Sequence, residues 1–183
     1  MQEAALKFLE DGDHDQLTNL LAEVCPVDDE NSNALDAAEA RFPLPEDHWI
    51  NAPFGSEQKF ATLLETAVAQ GKTWAVRLLI SAGARADMYN EQLRRAPLHV
   101  AASGGQLEMV RLLLEHATQK PKVNAANVEA VDRKGQTVLH IAAERGDEAM
   151  LRYILQRPGL SEVDPKDLLG GQVGLLCILH GNF

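Results

Sequence analysis

Cysteine is nearly absent from this 183-residue chain, with Cys25 and Cys177 near opposite ends. Two such distant thiols offer neither a disulfide framework nor the spacing of a metal site, and they point to a reducing cytosol or nucleus. Large rings are scarce too, at 5% of residues. A core with so few of them draws on Leu, Ala, Val and Ile, which suits closely packed helices. No run approaches the ~18 consecutive apolar residues of a membrane helix, so direct membrane insertion by this chain is not expected. The start, Met1-Gln2-Glu3-Ala4-Ala5-Leu6-Lys7, lacks the basic and apolar run of a secretory signal. Positive charge is the scarcer sign: 17 Lys and Arg stand against 27 Asp and Glu, a net of −10. That balance argues against a nucleic-acid groove or an anionic membrane surface, both of which need a positive field. The expected location is cytoplasmic.

Chemistry-bearing motifs are lacking as well. Gly170-Gly171 is not followed by the Lys-Ser/Thr of a phosphate loop, and no Ser or Cys sits in a nucleophile elbow. His99 and His140 are 41 residues apart, without a carboxylate or cysteine at ligand spacing. Asp11-Gly12-Asp13-His14-Asp15 opens like a calcium loop. Its sixth position, which should be glycine, is Gln16, and its twelfth, which should be a bidentate glutamate, is Ala22. A polar turn with acids at the start of the next helix explains the same residues through the helix dipole. The expectation is a non-enzymatic chain with no cofactor and no metal.

What the chain does have is a recurring helix pair. Pro97 suits a first helical turn, Ala101-Ala102 lets a neighbouring helix approach, and Gly104-Gly105 supplies a tight turn. Val110, Leu113 and Leu114 then recur at the spacing of one helical face. A pair this short cannot bury that face alone and needs neighbours. They are present. Leu17, Leu20 and Leu21 stand to Gly12 as Val110, Leu113 and Leu114 stand to Gly105. Residues 62–84 restart the pattern around Gly71 with Val76, Leu79 and Ile80, and residues 135–155 repeat it around Gly146 with Leu151, Ile154 and Leu155. Gly71 to Gly105 is 34 residues and Gly105 to Gly146 is 41, with the surplus in 117–131. The stretches Leu78 to Ile80 and Leu112 to Leu114 read as core, and Thr137 as a helix cap.

The segments Ala96-Pro97-Leu98-His99-Val100-Ala101-Ala102 and Gly135-Gln136-Thr137-Val138-Leu139-His140-Ile141-Ala142-Ala143 resemble the ankyrin-repeat signature. The resemblance implies an all-α solenoid of stacked antiparallel helix pairs with projecting β-turn loops. It also implies that His99 and His140 are structural, their rings bonded to backbone groups that tie neighbouring tips. The expected organisation is a capping pair at 1–24, then an irregular insertion at 25–57 with a short helix near 34–40. Three repeats follow at about 58–90, 91–131 and 132–167, then the truncated start of a further repeat at 168–183. Trp49, Ile50 and Phe54 would anchor the insertion, with a partner-binding loop as the rival reading. A narrower resemblance, carried by Tyr89, Asn90, Leu93 and Ala96, is to the cytosolic N-terminal repeats of insect TRPA-type (painless-like) channels. It implies a module of a tetrameric membrane complex.

The resemblance implies a protein partner held at loop tips and the exposed positions of each first helix. By alignment these are Thr66, Ala69 and Gln70; Asn90, Glu91, Arg94, Arg95, Val100 and Ser103; then Asp132, Arg133, Lys134, Ile141, Glu144 and Arg145. Arg94, Arg95, Arg133 and Lys134 form a basic cluster that suits an acidic or phosphorylated contact, with solvated loop charges as the plain alternative. The functional expectation is a non-enzymatic interaction module within a TRPA-like channel. The alternatives are a soluble inhibitor masking a transcription factor or signalling protein, and a fragment with no partner of its own. After Gln172 the pattern fails, and Gln172-Val173-Gly174 matches what translation into an unspliced intron often gives, so a truncated isoform or an incompletely spliced gene model of a longer array is expected. Leu175, Leu176, Ile178 and Leu179 would then leave an uncapped apolar end that self-associates.

Overall fold

The computed structural model describes residues 1–24, 48–53, 61–90, 94–119 and 127–157. The expected short helix at 34–40, the position of Phe54, Glu91 and Leu93, and the whole C-terminal stretch at 168–183 lie outside the described residues. Among the described residues, eight helices form four antiparallel pairs: α1 Gln2–Asp11, α2 His14–Val24, α3 Leu63–Ala69, α4 Thr73–Ser81, α5 Pro97–Ser103, α6 Leu107–Gln119, α7 Val138–Arg145 and α8 Glu148–Leu155. No β-strand occurs among the described residues, and an isolated β-bridge pairs Asn90 with Arg95.

Each pair turns on a glycine in the left-handed region: Gly12 at φ +75°, Gly71 at +68°, Gly105 at +67° and Gly146 at +69°. The backbone closes the same way each time. The glycine N–H donates three residues back, and the next N–H donates five residues back, as in Gly105 to Ala102 and Gln106 to Ala101. Two orphan carbonyls at the helix end are thereby satisfied. The following helix starts on a side-chain cap where the sequence supplies one. Asp13 Oδ1 accepts from Gln16 N–H at 3.1 Å and Asp147 Oδ1 from Met150 N–H at 3.0 Å. The acidic run at 11–15 is therefore the turn between α1 and α2.

The pairs stack in two layers. The inner layer is α1, α3, α5 and α7, each against the next, and the outer layer is α2, α4, α6 and α8. Close approach in the inner layer depends on small residues, since Ala67, Ala101, Ala102, Ala142 and Ala143 are fully buried. Outer-helix aliphatics complete the core: Val76 and Leu79, Val110, Leu113 and Leu114, Leu151 and Ile154. Each contributes about 1.5–3 kcal/mol by leaving water. Leu17 and Leu21 of α2 fill the equivalent places in the first pair. Part of the longer interval before Gly146 is helix, because α6 runs 13 residues where α4 runs 9.

Residues 48–53 join this stack. Ile50 is fully buried and Trp49 packs partly buried against the core. Asn51, also buried, accepts Arg85 N–H on Oδ1 at 3.0 Å, and Gln2 Nε2 donates to Ala52 C=O. The segment is anchored on the body, as Trp49 and Ile50 suggested.

Candidate protein-binding surface

The loops that precede α5 and α7 carry the candidate contacts, and different interactions shape the two. In the first, Asn90 N–H donates to Arg95 C=O at 2.8 Å, and Arg95 N–H returns a bond to Asn90 C=O at 3.3 Å. Arg94, beside this bridge, sits at φ +45°, an unusual position for a residue with a Cβ. Underneath sits Glu65 of α3, whose side chain is only 3% exposed. Its Oε1 accepts from Arg95 Nε at 2.7 Å and its Oε2 from Asn90 Nδ2 at 3.1 Å. One buried carboxylate thus grips both ends of the tip. A buried charge with a charged partner and a second donor satisfies the condition under which burial is tolerated.

In the second loop Asp132 does the shaping. Its Oδ1 accepts from Lys134 N–H at 2.7 Å and Gln136 N–H at 2.9 Å, and its own N–H donates to Gln136 C=O at 2.9 Å. Gly135, at φ +74°, allows the chain to reverse there.

The two tips are tied together. His99 Nδ1 accepts Ala96 N–H at 3.1 Å, which leaves the proton of the neutral ring on Nε2, 3.0 Å from Ala130 C=O. Burial pushes the His99 pKa below the ordinary value, outweighing the upward pull of the Ala130 carbonyl and the Asp132 charge. Tyr89 hydroxyl donates to Val131 C=O at 3.0 Å, so two successive carbonyls of the second tip take donors from the repeat before. His140 repeats the inner half of this arrangement, with Nδ1 3.2 Å from Thr137 N and 2.9 Å from Thr137 Oγ1. Thr137 stands at the N-cap, its hydroxyl against the ring.

Of the aligned contact residues, Gln70, Arg94, Ser103, Arg133, Lys134, Glu144 and Arg145 are exposed, and Thr66, Asn90, Arg95, Val100 and Asp132 are half-buried. Ile141 departs from the expected exposed row. It is 7% exposed and belongs to the core, because a large branched aliphatic gains most by leaving water. Several of the others also have internal tasks. Thr66 Oγ1 donates to Thr62 C=O, Arg145 Nη1 to Ser103 C=O at 2.7 Å, and Gln136 Nε2 to Glu144 at 3.2 Å. Glu65 was invisible to the pattern, because nothing local marks an acid on an inner helix as the partner of residues 25 and 30 positions away.

Among the described residues no helix is long and apolar enough to cross a membrane, and no three His, Cys, Asp or Glu side chains come together to hold a metal. A family model described as ankyrin repeats matches residues 64–167 in three copies. The B-cell lymphoma 3 protein of Homo sapiens is 31% identical over 141 residues, covering 70% of this chain and 29% of that protein. The nuclear factor NF-kappa-B p105 subunit of Gallus gallus is 37% identical over 92 residues, covering 50% of this chain and 8% of its own length. The transient receptor potential cation channel subfamily A member 1 of Homo sapiens is 30% identical over 96 residues, covering 52% and 8%. This chain spans less than a third of the length of the first curated relatives that it matches.

Proposed function

Because the chain belongs to the ankyrin-repeat family, whose repeats mediate protein–protein interaction, we propose that it binds a partner protein through its loop tips and inner-helix ends. The observation that carries this reading is the stapled pair of tips beside the exposed ends of α3, α5 and α7. A rigid, solvent-facing edge on a packed scaffold loses little entropy when a partner docks. Family membership likewise supports a non-enzymatic role.

Two finer readings differ in the company that the module keeps. A place in the cytosolic part of a TRPA-type channel is supported by Tyr89, Asn90 and Ala96 and by the similarity to the human channel subunit. A soluble module that masks a nuclear factor or a signalling protein is supported by the similarity to the nuclear factor subunit, at higher identity. Cosedimentation of the chain with a membrane complex selects the first, and a partner recovered without membrane selects the second.

The test of the shared reading is site-specific photocrosslinking in cells that express the chain. A benzophenone side chain at Ser103, on the end of an inner helix, is expected to trap one discrete adduct. The same group at Glu108, exposed on outer helix α6, is expected to trap none. Equal trapping at both positions, or trapping at neither, contradicts the proposal.

A further inference from the structure

Where each inner helix meets its turn, unpaired carbonyls carry the negative pole of the helix. A cation from the following repeat covers that end at two joints of the stack. Between the first and second pairs, Lys72 Nζ donates to the Leu9 and Glu10 carbonyls of α1. Between the third and fourth pairs, Arg145 Nη1 donates to the Ser103 carbonyl of α5 at 2.7 Å. Glu10 and Ser103 each stand two residues before their turn glycines, Gly12 and Gly105. The cations flank the turn glycines of the next repeat, Lys72 directly after Gly71 and Arg145 directly before Gly146.

The joint between the second and third pairs has neither. Gly104 takes the place of Arg145 and Gln106 the place of Lys72. The equivalent acceptor is the Ala69 carbonyl of α3, and among the described residues no side chain donates to it. Gln106 crosses the joint with its Nε2 against Gly71 and Gly104, where added Cβ atoms would lie 3.4 and 3.1 Å from it. Its Oε1 is buried and takes no donor among the described residues. A buried acceptor without a donor loses more than a surface hydrogen bond returns, so this side chain opposes closure of the joint. The other end of the same joint is held, because Glu65 of α3 grips Arg95 and Asn90. The next joint is tied at both ends, by Arg145 at the turns and by Tyr89 and His99 at the tips.

We propose that the joint between α3–α4 and α5–α6 is a hinge built into the stack, pivoting on Glu65 at the tips and opening at Gln106 at the turns. In a stack of repeats each interface contributes its own term, so the interface with one end untied sets where the stack bends. Gln70 and Ser103, both exposed, lie at the turn ends of the inner helices on either side. Opening the hinge changes the spacing between them and with it the curvature of the inner-helix row. The hinge follows from the packing and does not depend on the protein-binding reading.

Double electron–electron resonance on the full chain tests it. Spin labels go on Arg77→Cys of α4 and Ala149→Cys of α8, both exposed, in a Cys25→Ser, Cys177→Ser background. Gln106→Lys copies the Lys72 tie into the untied joint and is expected to narrow the distance distribution about twofold. Arg145→Gln copies the neutral amide into the tied joint and is expected to broaden it by a similar factor. An unchanged width in either variant would overturn the hinge. Gln106→Arg supplies the cation again if the lysine variant fails to fold, and loss of the fold in both would overturn the proposal, since the joint would then not accept the tie.

Discussion

The tip at 87–96 is held from below and the tip at 130–136 closes on itself. In the first, a bridge between Asn90 and Arg95 stands on Glu65, a carboxylate supplied by the preceding repeat. In the second, Asp132 and Gly135 make the turn from residues within five positions of one another. Equivalent loops of one repeat family thus reach a fixed shape through a long-range ion pair in one case and a local side-chain turn in the other. The difference lies in what each tip depends on. The first leans on a carboxylate of the preceding repeat, whereas the second adds a local restraint to the bonds it takes from Tyr89 and His99.

The largest expected effect separates them at their main supports. Arg95→Ala leaves the buried Glu65 carboxylate without its charged partner, with the Asn90 amide still donating to it, and is expected to cost about 3 kcal/mol in urea unfolding. Asp132→Ala removes two half-exposed turn bonds and is expected to cost about 1 kcal/mol. Equal losses would erase the distinction between the tips.

Next come the two residues at positive φ. Gly135→Ala places a Cβ in the left-handed region and is expected to cost about 1–2 kcal/mol. Arg94→Gly removes a Cβ from that region, but the unfolded chain gains freedom, so stability is expected to shift by less than about 1 kcal/mol. A large loss in Arg94→Gly would mean that the arginine side chain itself holds the first tip.

The smallest effect concerns the tie between the tips. The folded state holds the His99 pKa below its usual value near 6.5, so below that pH the unfolded chain binds more protons. The stability contribution of neutral His99 is complete above about pH 6.5 and is lost as pH falls through the lower folded-state value. His99→Asn keeps an acceptor for Ala96 N–H and is expected to flatten this part of the stability profile. A slope unchanged in that variant would place the titration elsewhere.

Local pattern made much of this architecture legible. The glycine turns, the alanine pairs and the aliphatic faces of α2, α4, α6 and α8 each follow from residues within one helix pair, and the structure places most of them in turns and core as read; Leu155, at the end of α8, is instead 38% exposed, and Leu20, Leu78 and Leu112 are half-buried. The structural role of His99 was implied by the ankyrin resemblance rather than by local pattern, and its bonds to Ala96 and Ala130 agree with it. The surface was harder to read. Ile141 occupies a position that is half-buried at Thr66 and Val100, and only its own size and branching draw it into the core. Arg95 and Asn90 read as free tip residues because their partner, Glu65, lies in a different repeat and on a helix whose acids normally face solvent. Asn51 escaped notice for the same reason, since its bond to Arg85 N–H spans 34 positions.

The central claim is that the two tips are shaped before any partner arrives, each by its own support. Native-state amide exchange in the wild-type chain and in Glu65→Gln measures this directly. The account predicts faster exchange at the N–H groups of Asn90 and Arg95 in the variant, with Lys134, Gly135 and Gln136 unchanged. Equal acceleration at both tips, or none at the first, would contradict it.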